Sequence, residues 1–517
     1  MKKFNITGTC NPKRHYMVDT SAKLKQILKL IEDGEYFVIN RPRQYGKTTT
    51  LFRIEKALEE NKDYLIINIS FEGMGDDFFE SPKTFCPTFL QYISKIFSIK
   101  QNNSMMQVND FPYLSKAISE ALTEIDSKVV LLIDEVDKSS NNQLFLNFLG
   151  MLRDKYLKAQ MDKDITFHSV VLAGVHDVKS LKLKLRPDEE RKYNSPWNIA
   201  ADFNVDMSFK PAEIATMLSQ YSIETKNEMD IPAVSQRIFF WTNGYPFLVS
   251  KLCKIVDETI LPERNIKNWT PTDIDEAVKQ LLNESNTLFD DLIKNLENNK
   301  ELFGFIERII FSGISFTFVI SSPLTNLAYI YGYIQNNNGK ISIHNKIFEE
   351  YISNHITAGI SEKNQGTELT ANSNTSLYLK PSGKLDMTKV MLKFQEVIKE
   401  KYSQSDALKS DEFLEKDLRL LFLVFLKPII NGIGFSFKEV ETSAEKRLDI
   451  VVVFRDEKFV VELKIWRGEE YHNQGKQRLK EYMLAESVNK SFMLIMDKRR
   501  TKEFVHYEED EILIVWI

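Results

Sequence analysis

The sequence predicts an α/β protein in parts: a mainly parallel sheet with helices on both faces, a helical region behind it, and a separate, smaller α/β unit at the end. Three observations carry this. Short apolar strands alternate with helical stretches over roughly the first 205 residues, the pattern of a parallel sheet covered on both faces. A phosphate-loop spelling, "RPRQYGKTTT" (41–50), lies between one such strand and one such helix. A stretch rich in Ser, Thr, Asn and Gly (357–385) interrupts the apolar periodicity before a new α/β pattern begins, as a linker does.

Taken in order, "LKQILKLI" (24–31) has helical apolar spacing and "EYFVIN" (35–40) is a short buried strand. "YLIINISF" (64–71), "KVVLLIDEVD" (128–137) and "FHSVVLAGV" (167–175) are three further strands. After them the periodicity is helical, through "PAEIATMLSQY" and "YPFLVSKLCKIVDETI". Residues 301–356 read as a helix, a hairpin turning on Asn/Gly, and a helix, either a winged-helix-like module or a small α+β extension. From 386 come two helices (388–401 and 411–426), then "PIINGIGFSFKEVE", "RLDIVVVF" and "FVVELKIW" as strands, a helix (473–486), and strands at "SFMLIMD" and "EILIVWI". The expected divisions are a core at 1–230, a helical lid at 231–300, the winged-helix-like module at 301–356, the linker at 357–385 and the last unit at 386–517.

Bulk properties set limits. The 517 residues are 43% hydrophobic and 27% charged, with net charge -5, which is ordinary for a globular protein. Any nucleic-acid role therefore needs a local basic surface. Cys10, Cys86 and Cys253 are widely spaced, which predicts neither a disulfide framework nor a zinc site and fits a reducing, cytoplasmic compartment. No signal peptide is expected, and the longest apolar run, "LRLLFLVFLKPII", is too short and too charged to cross a membrane.

Two segments carry chemistry. In the first, Gly46 lets the backbone approach phosphates, Lys47 reaches them, and Thr48 supplies a hydroxyl for Mg²⁺. Arg43, Gln44, Tyr45 and Thr49 complete the expected cradle. Arg41 stands where the usual loop begins with Gly. Asp134, at the end of an apolar strand, can help hold Mg²⁺, and Glu135 can orient or deprotonate water. ATP and Mg²⁺ are the expected ligands.

The second segment is "RLDIVVVFRDEKFVVELKIW" (447–466). Glu462 and Lys464 interrupt a strand otherwise built for burial, where an unpartnered charge costs several kcal/mol. Read as a hairpin with a four-residue loop, it sets Phe454 opposite Phe459 and Asp449 opposite Lys464, with Glu462 diagonal to Asp449. Two carboxylates and an ammonium on one face suit a metal-dependent phosphodiesterase. They equally suit a cross-strand ion cluster that only holds the sheet together.

The segments "YFVINRPRQYGKTTTL", "VVLLIDEVDK" and "NGYPFLVSKLCK" resemble prokaryotic AAA-like ATPases of the archaeal-ATPase/STAND group, over roughly 1–355. That resemblance implies a lid opened by Gly244-Tyr245-Pro246 and tolerates Arg41; His176 or Asp177 lies where a sensor usually stands, though the segment reads more readily as a solvated loop. The sequence does not single out a trans-acting arginine; Arg153, Arg186 and Arg191 are among those that could serve. The pattern D-x(12)-E-x-K, with "FLKPIINGIGFSFKEVE" before it, resembles PD-(D/E)XK nucleases, over roughly 386–517. It implies Asp449, Glu462 and Lys464 as the active-site set, with metal on Asp449 and Glu462. It adds Glu439 as a further acid and Glu415 as a helix-borne one. Arg478 stands where relatives carry Gln, with Gln477 beside it, which implies either a phosphate contact or altered catalysis. Two functions follow: a nucleotide-controlled nuclease acting on nucleic acid, DNA before RNA, or an ATPase switch whose nuclease fold only binds. A homo-oligomer is allowed.

Overall fold

The computed structural model describes residues 1–97, 108–139, 142–175, 197–264, 268–312, 315–363, 375–402, 408, 410, 413–437, 450–486, 488, 490–499 and 503–517. Two compact units divide the chain. The first comprises Met1–Phe239, Asn243–Ile274 and Ile330–Gly332. The second comprises Phe240–Thr242, Asp275–Tyr329 and Tyr333–Ile517.

In the first unit, strands β1 (Tyr36–Asn40), β2 (Tyr64–Ser70), β3 (Lys128–Asp134) and β4 (Ser169–Gly174) form a sheet in the order β1-β4-β3-β2. Every pairing is parallel. Tyr36, Val38, Ile67, Ile69, Leu131, Ile133, Val170 and Leu172 share one buried cluster with helices α3 (Pro82–Phe97), α4 (Phe111–Thr123) and α5 (Asn142–Ala159). The alternate residues, Phe37, Ile39, Val130, Leu132, Val171 and Ala173, are buried too. Both faces are therefore covered, as continuous apolar strands require. Helix α1 (Ser21–Glu32) packs on α2 (Lys47–Glu59), and α2 on β2, β3 and β4. Because the strands are parallel, the ends of β1, β3 and β4 share one edge, where α/β sheets bind their ligands. Helices α6 (Pro211–Thr225), α7 (Ile231–Thr242), α8 (Pro246–Ile255) and α9 (Pro271–Leu282) follow in the chain.

The second unit includes helices α10 (Thr287–Glu297) and α11 (Lys300–Phe311) and all but the last residue of α12 (Pro323–Ile330). Strands β5 (Ile334–Asn337) and β6 (Lys340–Ile343) form the expected hairpin. Its turn is Asn338-Gly339, both with positive φ (49° and 81°), the geometry a two-residue hairpin turn favours. Helix α13 (Lys346–Lys363) continues past residue 357, so the start of the expected linker is helical.

Helices α14 (Met387–Tyr402) and α15 (Glu415–Ile430) then precede a six-stranded mixed sheet. Its strands are β7 (Gly434–Phe437), β8 (Ile450–Phe454), β9 (Glu457–Ile465), β10 (Ser491–Met496), β11 (His506–Glu509) and β12 (Ile512–Trp516), in the order β11-β12-β10-β9-β8-β7. Pairings β7/β8, β8/β9 and β11/β12 are antiparallel, while β9/β10 and β10/β12 are parallel. Helix α16 (Glu469–Glu486) packs on β9 and β10, and α15 on β7 and β9. Helices α11 and α13 also pack on α15. No described helix is long and apolar enough to cross a membrane.

The hairpin register corrects the sequence reading. The turn is the two residues Arg455-Asp456, not four, so Phe454 faces Glu457 and Val452 faces Phe459. Arg455 takes positive φ (56°), which matches the strand twist in so tight a turn. Ile450 faces Val461, so this register does not support Asp449 opposite Lys464. Asp449 and Glu439 themselves lie outside the described residues, as do His176, Asp177, Arg186 and Arg191.

Candidate functional site

The first site lies where β1 ends. Gly46, at φ 82°, caps α2 in the left-handed region, a turn glycine makes without steric cost. Its carbonyl accepts from the Thr50 amide and hydroxyl, each at 2.9 Å. Lys47 opens α2 and is buried, with its Nζ donating to the carbonyls of Arg41 and Pro42 at 3.0 Å each. The ammonium thus rests on the loop's own backbone. Burial lowers its pKa, against the pull of Glu135, Asp137 and Asp134. Thr48 is exposed on the first turn, while the Thr49 hydroxyl accepts from the Cys10 amide at 3.1 Å.

Asp134 is buried at the end of β3 and accepts the Glu135 amide at 2.9 Å. Glu135 holds φ 53°, a conformation that costs free energy for a residue with a side chain and gathers at functional sites. Burial raises its carboxyl pKa, Lys47 opposes the shift, and Asp134, Asp137 and Glu72 add to it. Asp134 and Glu135 thus both act on the Lys47 ammonium. Asp137 joins them; sequence reading missed it, because its side chain is placed by accepting the Val175 amide after β4.

Arg41 explains its own departure from glycine. Its guanidinium donates to the carbonyls of Asn40 at 2.9 Å and Val205 at 2.7 Å, and lies 5.0 Å from the Phe203 ring centroid. It ties the start of the loop to the Phe203–Val205 segment. Tyr245, from the Gly-Tyr-Pro segment, donates its hydroxyl to the Arg43 carbonyl, and its ring meets Tyr45 edge-on at 4.7 Å. Arg43 is exposed and Gln44 takes φ 56°. Arg153 sits half-buried on α5.

The second site lies on β9. Glu462 pairs in the ladder with Met493 and Lys464 with Ile495. The Glu462 side chain is 0% exposed, and its Oε1 lies 2.9 Å from Lys464 Nζ and 3.5 Å from Arg478 Nη1. Gly475 lets α16 lie against this strand: a Cβ there would stand 2.9 Å from Met493 Cε and 3.6 Å from Lys464 Cε. Glu415, at the start of α15, accepts from Tyr471 Oη at 2.9 Å and from the Ile465 amide at 3.4 Å. Lys464 Nζ stands 5.3 Å from the Tyr471 ring centroid. Burial raises the Tyr471 phenol pKa, Lys464 opposes, and Glu415 adds. The chain enters β8 at Ile450, the residue after Asp449, and Ile450 faces Val461, the neighbour of Glu462. Among the described residues no three His, Cys, Asp or Glu side chains gather as a metal site.

Comparison with known proteins gives the following. An uncharacterized WD repeat-containing protein of Synechocystis is 20% identical over 316 residues, covering 56% of this chain and 25% of its own. The chain thus spans about a quarter of that relative. Among solved structures, the Walker-type ATPase of Pyrococcus abyssi is 11% identical with TM-score 0.46, over 68% of this chain and 99% of its own. Cdc6p of Pyrobaculum aerophilum is 15% identical with TM-score 0.36, over 69% and 97%. ORC2 of Aeropyrum pernix is 13% identical with TM-score 0.39, over 69% and 97%. A family model described as an AAA-like domain matches residues 9–354. With well over half its length inside that match, the chain belongs to the AAA-like domain family.

Proposed function

We propose that this AAA-like protein binds and hydrolyses ATP with Mg²⁺ and that its last unit cuts nucleic acid with Mg²⁺ under nucleotide control. The observation that carries the ATPase part is the meeting of Lys47 with Asp134 and Glu135 at one sheet edge, beneath a loop opened by Gly46. The donor set suits a magnesium–triphosphate: loop amides, an ammonium, a hydroxyl at Thr48 and a carboxylate at Asp134. Lys47 would leave the Arg41 and Pro42 carbonyls for phosphate oxygens. Glu135 would take the proton of the attacking water.

The nuclease part rests on Glu462 and Lys464, held 2.9 Å apart inside the sheet, with Glu415 beside them on α15. In this reading Asp449 and Glu462 would hold Mg²⁺, which when bound would supply acidification of a water and offset of phosphate charge. Lys464 positions that water, and Glu439 adds an acid. The reading assigns 1–230 to the ATPase core, 231–300 to a lid, 301–356 to a winged-helix-like module, 357–385 to a linker and 386–517 to the nuclease. It places the protein in the cytoplasm, on DNA before RNA, as a monomer or homo-oligomer.

Arg478 favours a second reading. Its guanidinium beside Glu462 opposes a metal ion on that carboxylate, which suits an ATPase switch with a nuclease fold kept for binding. Turnover of ATP by wild type, Lys47→Ala and Glu135→Gln tests the first site. Cleavage of plasmid, single-stranded DNA and RNA by wild type and Asp449→Ala tests the second. ATP turnover with no cleavage of any substrate selects the switch.

A further inference from the structure

We propose that Trp466, with the Arg499 guanidinium beside it, is a stacking platform for an unpaired nucleobase, so that the site on β9 takes single-stranded nucleic acid. The inference deepens the nuclease reading above and rests on it. Side chains two residues apart share one face of a strand and follow each other at about 6.6 Å. Glu462, Lys464 and Trp466 make such a row, for the Trp466 amide continues the ladder by donating to the Met496 carbonyl at 2.9 Å. Exposure rises along it: the Glu462 side chain is 0% exposed, Lys464 6%, and Trp466 is half-buried. The row that holds the buried ion pair thus meets solvent at Trp466.

Strands β9, β10 and β12 run parallel, so their last residues share one edge, the edge at which α/β sheets bind ligands. Trp466 follows β9, Asp497 follows β10 and Trp516 closes β12. The two tryptophan rings lie 4.9 Å apart, and the His472 ring of α16 lies 5.8 Å from Trp466 and 6.0 Å from Trp516. This packing holds the Trp466 indole while part of it stays open; Trp197, Trp241 and Trp269, by contrast, are fully buried. Arg499 donates to both oxygens of buried Asp497, with Nε at 3.0 Å and Nη2 at 2.7 Å. That fork fixes the guanidinium 5.3 Å from the Trp466 ring centroid, although 58% of the side chain is exposed. A base laid there meets an indole and a planar guanidinium together, the two surfaces on which unpaired bases stack. In a duplex each base face is already covered by its neighbours, so the platform selects against paired substrate. Exposed Arg467, next in the chain, lies 5.6 Å from the Tyr471 ring centroid, which also has Lys464 Nζ at 5.3 Å. A strand stacked on Trp466 therefore has a cation for its phosphate on the way to Lys464.

The test is titration of the full chain, with chelator in place of Mg²⁺ so that the probes stay whole. The probes are a fluorescently labelled oligothymidylate, the same strand carrying abasic sites, and a duplex; anisotropy and tryptophan emission are read together. Wild type should bind the intact strand more tightly than the abasic strand or the duplex, with quenched tryptophan emission. Trp466→Leu should weaken the intact strand about fivefold to a hundredfold and bind both single strands alike, while Trp466→Phe should keep the preference. Arg499→Gln should weaken the intact strand about twofold to fivefold. Arg467→Gln should weaken intact and abasic strands equally and lower the salt dependence. Melting temperatures show which variants fold, and the abasic comparison needs wild type alone. If wild type binds intact and abasic strands equally, or folded Trp466→Leu keeps the preference, this inference is overturned and the nuclease reading stands. If wild type binds no strand, both fall.

Discussion

The ammonium of Lys464 stands 2.9 Å from the carboxylate of Glu462, two residues away on the same face of a strand buried within a six-stranded sheet. The two charges thus form an ion pair within that strand. It does not by itself require a reaction, and the two roles separate under mutation.

Among the described residues Glu462 faces two cations, Lys464 and Arg478, so its removal and that of Lys464 are unequal. Glu462→Ala removes the buried carboxylate that faces both cations and should cost about 3–5 kcal/mol. Lys464→Met leaves Glu462 with Arg478 and should cost clearly less. Urea unfolding of the two variants checks the order; equal losses would contradict it.

Lys427 on α15 lies 2.9 Å from Glu350 Oε1 and 2.6 Å from Asn354 Oδ1 on α13, with both ion-pair side chains buried. Arg419, two turns earlier, donates to the Phe311 carbonyl at the end of α11. Lys427→Ala or Glu350→Ala should each cost about 3–5 kcal/mol, and the double variant should cost less than their sum. A double-mutant cycle by chemical denaturation measures the coupling.

Arg41→Gly restores the usual first glycine of the loop yet should destabilise, by about 1–3 kcal/mol, because it removes the contacts to Val205 and Phe203. Nucleotide affinity should change little. Thermal unfolding alongside ATP titration distinguishes this from a direct phosphate role, in which affinity would fall and stability would not.

Glu135 gives a pH signature. Its folded-state pKa is raised above the unfolded value, chiefly by burial. The folded protein therefore holds the proton longer, and stability falls as pH rises from the ordinary glutamate value through the folded one. Glu135→Gln without nucleotide should be more stable than wild type at about pH 8 and equal to it at about pH 4. The same variant should bind ATP and fail to hydrolyse it. Melting temperatures across that range test the sign.

Much of the candidate nucleotide site is legible in the sequence because its parts are local: an apolar strand, a glycine turn and a helix start lie contiguously at 36–59, and Asp134 closes a second apolar strand. The role of Arg41 is not, since it depends on carbonyls more than 160 residues away. The hairpin register was misread because Arg455, neither Gly nor Asn, takes the positive φ of a tight turn. Strand β11 went unseen because "HYEE" is wholly exposed and shows no alternation. Glu462 and Lys464 were visible because they break an apolar strand.

The most direct test of a nucleotide-controlled nuclease is the rate of Mg²⁺-dependent cleavage with and without ATP, for wild type and Glu462→Gln. We predict cleavage by wild type that changes with ATP, and none by folded Glu462→Gln. Equal cleavage by Glu462→Gln, or none by a wild type that turns over ATP, would contradict the account.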